Sequence, residues 1–130
     1  MAETTTKNNN DNIMAAVGHT GIIAVLLPLV IWMTQKEKSK YVAFQALQAA
    51  VYQLVTIVAI VILWVIGMVV VMILGALTAG VGGLLMLPMM LIFLLLGLGA
   101  WVYGLYGAYM CYQGKDFKYK MLGDMLAKKV

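Results

Sequence analysis

The sequence is poor in charged residues: Asp, Glu, Lys and Arg make up 11% of it, and arginine is absent. Soluble domains carry about 25% charged and about 45–50% apolar residues, whereas 64% of this chain is hydrophobic. From Tyr41 to Gly114 no residue is charged. Too few charges remain to coat a water-exposed surface, so the composition excludes an ordinary soluble domain and indicates an integral membrane protein.

Other scarcities limit the chemistry that the chain can perform. Cys111 is the only cysteine, which excludes an intramolecular disulfide and a thiolate metal cluster. His19 is the only histidine, and all five acidic residues lie outside the apolar runs. The eleven methionines are scattered through apolar stretches, which favours packing over copper binding. With no serine, carboxylate-pair or phosphate-loop motif, we predict no enzymatic activity, no catalytic residue, no cofactor and no metal.

The apolar runs predict an all-α, multi-pass protein with three spans, at about 14–34, 45–77 and 84–112. Three glycines within residues 80–83 predict a flexible turn between the second and third spans. Pro28 predicts a kink in the first span. Apolar residues recur at helical spacing near the C-terminus and predict a short amphipathic helix on the membrane surface. Residues 1–12 are predicted to be a disordered polar tail, and 13–130 a single helical membrane domain.

Lysines provide an orientation signal. Eight of the nine lie either in the loop at 35–40 or in the tail after Gly114, and such clusters mark cytoplasmic segments. Two segments on one side are separated by an even number of spans, so three spans in total place the C-terminus in the cytoplasm and the N-terminus outside. The lysines flank membrane runs and form no basic helix, so we predict no nucleic-acid partner.

The predicted spans contain one histidine and three glutamines: His19, Gln45, Gln48 and Gln53. An ionisable group within a span suggests function, but His19 has no carboxylate partner in any span and lies near an interface, which favours a structural use. Glutamines in spans commonly bond across helices. Helix packing is therefore favoured over a polar conduction path, which stays open as the alternative.

Small residues recur every four positions in the third span at Ala100, Gly104 and Ala108. This spacing lets helix backbones approach closely and predicts a docking face for another helix, of this chain or of another. An aromatic membrane-interface belt is predicted from the tyrosines near the end of this span and beyond it. They are Tyr103, Tyr106, Tyr109, Tyr112 and Tyr119.

Three segments resemble a family of small prokaryotic membrane proteins of unknown function (DUF forty-eight seventy), grouped with the chloroplast inner-envelope import component Tic-twenty. They are His19 to Trp32 with Gly21 and Pro28, the run from Lys38 to Ala49, and the tail from Tyr103 through Tyr119 to Asp124. The resemblance covers about residues 14–126. It implies a small helical membrane module, and by distant analogy channel or translocation work.

The prediction is a non-enzymatic structural or interaction module of the cytoplasmic membrane. Its expected partners are the lipid bilayer and a second copy or another membrane protein, and the sequence identifies no small-molecule substrate. The alternative is a small channel or protein-translocation component in which His19, Gln45 and Gln48 line a polar path.

Overall fold

Helices make up 80% of the computed structural model, which describes residues 8–129. No strand occurs within that range, as expected for an all-α chain. In order, the elements are α1 (Asn9–His19), α2 (Leu26–Gln35), α3 (Lys40–Leu77), a 3-10 helix (Val81–Leu85), α4 (Met86–Tyr112) and α5 (Leu122–Ala127). Two of these stretches, Lys40–Leu77 and Val81–Tyr112, are long and apolar enough to cross a membrane.

The prediction of a first span over 14–34 was wrong, because α1 and α2 are separate helices. Gly21 and Ala24 both adopt positive φ, at 71° and 45°, and this reverses the chain between the two helices. Pro28 consequently lies in the first turn of α2, where its missing N–H leaves no helical hydrogen bond unmade. The ten residues of α2 are too few to cross the roughly 30 Å hydrocarbon core.

A contact between α1 and the lysine-bearing loop at 35–40 also contradicts the prediction of three spans. The hydroxyl of Ser39 donates to a carboxylate oxygen of Asp11 at 3.0 Å, whereas a spanning first segment would place these residues on opposite membrane faces. The prediction of an outer N-terminus depended on that third span and loses its basis. The same contact explains why Asn9–Asn12, predicted as part of a disordered tail, form the first turn of α1. The remaining part of that predicted tail, residues 1–7, lies outside the described residues.

The chain divides into two compact units. The second, Val55–Ala100, contains the apolar middle of α3 and the beginning of α4, and most of its large side chains are exposed. Trp64 packs edge-to-face on Phe93 with ring centroids 5.1 Å apart. From residue 55 to the end of α3 a helix extends about 35 Å at 1.5 Å per residue, close to the hydrocarbon thickness. This unit therefore has the dimensions and the surface of a membrane-spanning hairpin.

The turn of this hairpin is more ordered than the flexible turn that its glycines predict. The hydroxyl of Thr78 donates to the Leu74 carbonyl and accepts the Gly82 N–H, both at 2.6 Å. Gly82 is required by close approach, since a Cβ there would lie 2.5 Å from the backbone of Leu74. Gly80, with φ of 95°, provides the left-handed residue that ends the preceding turn.

The first unit comprises residues up to Leu54 and those from Trp101 onward. Its described core is built from small residues and aromatic rings, with Ala15, Ala46 and Cys111 fully buried and Phe117 and Tyr119 nearly so. Small side chains on α1, α3 and α4 let the backbones approach, and the rings fill what remains. The predicted polar residues of the chain belong to this unit.

Candidate functional site

A cluster of buried polar side chains lies at the centre of the first unit. We define the polar cluster as His19, Gln45, Gln48 and Tyr119 together with the carbonyl of Phe117. His19 and Tyr119 are 1% exposed, and both glutamines are fully buried. Because unpaired polar groups are costly to bury, the arrangement of their hydrogen bonds determines what the site can do.

His19, at the C-terminal end of α1, is bonded through both ring nitrogens. Its Nε2 lies 3.2 Å from Gln45 Oε1 and its Nδ1 lies 2.8 Å from the Tyr119 hydroxyl. The Gln45 oxygen can only accept, so Nε2 carries the proton and Tyr119 donates to Nδ1. Burial raises the pKa of the Tyr119 phenol, which keeps this donor protonated.

The two glutamines bind a backbone segment from the C-terminal part of the chain. The Nε2 groups of Gln45 and Gln48 both donate to the Phe117 carbonyl, at 2.9 and 3.0 Å. Gln48 Oε1 accepts the Tyr119 N–H at 3.0 Å, so it pairs with the segment as a neighbouring strand would. Gln45 Nε2 also reaches the Asp116 carboxylate at 3.2 Å.

Residues 115–123, which we call the docking segment, differ from the surface amphipathic helix predicted for the tail. Residues 115–119 are not helical, and α5 covers only Leu122–Ala127. Buried Phe117 and Tyr119 alternate with exposed Lys118 and Lys120, the period-two pattern of an extended chain. The glutamine amides of α3 compensate the backbone groups that a helix would have satisfied internally.

Aromatic rings enclose the segment. Tyr119 stacks on Tyr52 with centroids 4.0 Å apart and planes 9° apart, and Tyr103 meets it edge-on at 5.2 Å. Phe117 packs edge-to-face against His19 at 5.5 Å. Tyr119 was predicted to belong to an interface belt, but its ring lies in the core instead. Tyr106, Tyr109 and Tyr112 are exposed, as members of such a belt would be.

The predicted small-residue stripe divides between the two units. Gly104 and Ala108 are buried in the first unit, where a Cβ on Gly104 would lie 3.1 Å from the His19 carbonyl oxygen. This part of the stripe therefore receives α1 of the same chain. Ala100 is half-buried and belongs to the second unit. Gly107, outside the predicted stripe, has Phe117 and His19 directly against its missing side chain.

The remaining predicted polar residue, Gln53, makes a separate contact. Its Nε2 donates to the Gly18 carbonyl at 3.1 Å, and its buried Oε1 has no hydrogen-bond partner among the described residues. Sequence reasoning identified the histidine and the glutamines but missed what they bind. Phe117, Asp116 and Cys111, whose thiol lies 3.4 Å from Gln45 Oε1, are the additional members of the site.

The cluster is closed to solvent and its principal donors are matched by acceptors. It forms no open polar path, since His19, Gln45 and Gln48 are at most 1% exposed. Within residues 8–129 no three His, Cys, Asp or Glu side chains come together as metal ligands would. The arrangement fixes the docking segment on α1 and α3.

Burial makes the stability of the cluster sensitive to acid. It lowers the pKa of His19 from 6.5 to about 4, against a smaller opposite effect of the Gln45 hydrogen bond. The unfolded state therefore takes up a proton as the pH falls through about 6.5, while the folded state stays neutral until about 4. The contribution of His19 to the free energy of unfolding should be fully present above pH 6.5, and the free energy of unfolding should fall by up to about 3 kcal/mol on acidification to pH 4.

Thermal unfolding between pH 4 and 7, compared for the wild type and His19→Gln, measures this effect. The variant should lose less stability over the window, because its amide does not titrate. Equal losses in both proteins would show that another group is responsible.

Two long apolar helices, a hairpin with an exposed apolar surface and a sealed hydrogen-bonded cluster define a helical membrane protein. A family comparison identifies it more closely: residues 10–126 match the model of the magnetosome magnetite crystal formation protein family, MamF/MmsF. Because the match spans most of the chain, the protein belongs to this family, and membership together with the apolar helices places it in a membrane. No curated protein and no solved structure matches the chain.

This finding corrects the family resemblance drawn from the sequence. The matched model includes all three segments that carried the resemblance, and it belongs to the magnetosome family instead of the family of unknown function or the import component. The assignment to DUF forty-eight seventy and Tic-twenty was therefore wrong. The translocation alternative that depended on it has no support.

Proposed function

We propose that the chain is a non-enzymatic structural module of the membrane in which magnetite crystals form. Family membership supports the setting, and the apolar surface of residues 55–100 supports anchoring in lipid. The observation that carries the proposal is that both ring nitrogens of His19 and both amides of Gln45 and Gln48 are engaged by groups of the chain itself.

A catalytic histidine needs a ring nitrogen within reach of a reacting proton. In this cluster Nδ1 accepts from Tyr119 and Nε2 donates to Gln45, and the ring is 1% exposed. The same bonds have an evident structural result, because they hold Phe117 and Tyr119 inward. Lys118 and Lys120, which alternate with them, are exposed, and so is Lys115.

Exposed lysines on a docked segment are suited to interaction. Three lysines on a docked backbone present positive charge without the entropy loss that a mobile tail incurs on binding. We assign the interaction role of the module to this face, which agrees with the absence of an open cavity at the polar cluster. The partner would carry complementary negative charge.

The experiment that tests the proposal separates a structural from a catalytic histidine. A magnetite-forming strain lacking the gene is complemented with the wild type or His19→Gln, and crystal dimensions are measured by electron microscopy. Glutamine retains a donor and an acceptor but cannot act as a base near neutral pH. We expect crystals of wild-type size with this variant, since loss of a general base lowers rates roughly 10²–10⁴-fold.

Membrane level and resistance of the docking segment to trypsin are measured in the same cells as controls. A His19→Gln protein that is present and docked, yet gives the crystals of the deletion strain, would contradict the structural role.

The contacts also support a two-span topology with both ends of the described chain on one side. The Tyr41 hydroxyl donates to the Lys115 carbonyl at 3.0 Å, which brings the loop and the tail together, and Ser39 joins α1 to the same loop. Cysteines placed at positions 10 and 128 should therefore react with a membrane-impermeant maleimide from the same side. Labelling of these positions from opposite sides would refute the topology.

A further inference from the structure

A groove on the first unit, separate from the polar cluster, opens between the end of α2 and the first turns of α3. It has a volume of about 250 Å³ and is lined by Trp32, Lys36, Lys40, Ala43, Phe44 and Leu47. The lining combines two ammonium groups with an aromatic and aliphatic floor. Pockets for drug-sized ligands measure roughly 300–1,000 Å³, so this groove is large enough for a small polar group and too small for a whole lipid molecule.

The charges of the groove are available to a ligand. Lys36 Nζ lies 5.8 Å from the centre of the Trp32 ring, in a cation–π contact that holds the ammonium over the floor. Neither Lys36 nor Lys40 is in an ion pair within residues 8–129, although Glu37 lies in the same loop. With Lys38, the loop contains three lysines against one glutamate, so an anion is favoured.

The position of the groove indicates the kind of anion. Lys40 begins the helix that continues as a candidate span, and Val30 and Met33, which precede Lys36 on α2, are exposed. The ammonium groups therefore lie at the boundary between a polar loop and an exposed apolar helix surface. Tryptophan and lysine at such a boundary are characteristic of the headgroup level of a bilayer. Basic pockets beside membrane helices bind lipid headgroups.

We propose that this groove binds the headgroup of an anionic phospholipid, with the phosphate on Lys36 and Lys40 and the start of an acyl chain along Trp32, Phe44 and Leu47. An acidic peptide would find charge but would leave the apolar floor unused. A free phosphate would also satisfy only the two ammonium groups. A lipid anion uses both parts of the lining.

The test is native mass spectrometry of the full-length protein released from detergent, with phosphatidylglycerol, phosphatidylcholine or inorganic phosphate added. We expect a one-to-one adduct with phosphatidylglycerol and weaker binding of phosphatidylcholine and phosphate. In Lys36→Gln/Lys40→Gln the affinity for phosphatidylglycerol should fall about thirtyfold, which corresponds to about 2 kcal/mol for two lysines. The control, Lys128→Gln/Lys129→Gln, removes the same charge elsewhere and should bind like the wild type.

Equal losses in the two double variants would overturn the proposal, because they would show general attraction to a basic protein. Inorganic phosphate that competes as well as the lipid would also overturn it, since the apolar floor would then contribute nothing. All four lysines are exposed, and unchanged thermal unfolding without lipid shows that the variants fold. The outcome does not depend on the role proposed for the protein in crystal formation.

Discussion

Replacing Gln48 by leucine is expected to lower the free energy of unfolding by about 2–4 kcal/mol. Leucine removes the donor to the Phe117 carbonyl and leaves the buried N–H of Tyr119 without its acceptor. An unpaired buried donor costs about 1–3 kcal/mol, in addition to the bonds that are lost. The substitution should therefore also release the docking segment.

Two measurements on the purified protein in detergent check this prediction. The thermal unfolding temperature should fall, and trypsin should cleave after Lys118, whose neighbours Phe117 and Tyr119 are buried in the wild type. The matched control is Gln113→Leu, because Gln113 is exposed and, within residues 8–129, its amide bonds only the Tyr109 hydroxyl. That change should stay within about 0.5 kcal/mol, and an equal effect of the two would contradict the burial argument.

Replacing Gly107 by leucine should destabilise the protein to a similar extent, by about 2–4 kcal/mol. A Cβ at this position would lie 2.7 Å from the Phe117 ring and 3.2 Å from His19 Nδ1. A leucine needs still more room, so the Phe117 ring must leave its site. The burial of a phenylalanine side chain, worth about 1.5–3 kcal/mol, is then lost.

Gly99→Leu is the control on the same helix, since a Cβ at this position would meet no other part of the described chain within 4 Å. Leucine favours helix over glycine by up to about 1 kcal/mol at either position, so the difference between the two variants isolates the contact with Phe117. Thermal unfolding of both proteins in one detergent provides the comparison. Equal stability of the two variants would show that the docking segment does not pack against α4.

Sequence patterns predicted α3 and α4 well, because hydropathy and glycine content are local properties. The uncharged run, the turn near Gly80 and the end of α4 at Tyr112 follow from them directly. The prediction of a first span was wrong because hydropathy does not depend on backbone conformation. Positive φ at Gly21 and Ala24 interrupts an apolar run that is otherwise long enough to span a membrane.

The polar cluster was half predictable. Glutamines in an apolar helix require hydrogen-bond partners, so Gln45 and Gln48 could be identified from the sequence alone as residues that bond to another part of the structure. Their partner is some seventy residues away, and no local pattern states that distance. One signal was present: Phe117 and Tyr119 alternate with lysines, which indicates an extended strand-like segment as well as the helical spacing further on.

The helical spacing that predicted an amphipathic helix for the whole tail belongs to the end of the docking segment and to α5. Leu122 and Leu126 do have helical spacing, and they lie in α5. Met121, with φ of 67°, separates this short helix from the extended part. The spacing of apolar residues changes from two in the extended part to the helical period in α5 within about ten residues. A window of that length averages the two periods, so the extended part could not be recognised.

We propose that the polar cluster serves crystal formation by holding the docking segment in place. The most direct test is the size of magnetite crystals in a gene-deletion strain that expresses Gln48→Leu or Gln113→Leu at equal membrane levels. We expect wild-type crystals with Gln113→Leu and the crystals of the deletion strain with Gln48→Leu. Wild-type crystals from a Gln48→Leu protein whose docking segment is cleaved by trypsin would contradict it.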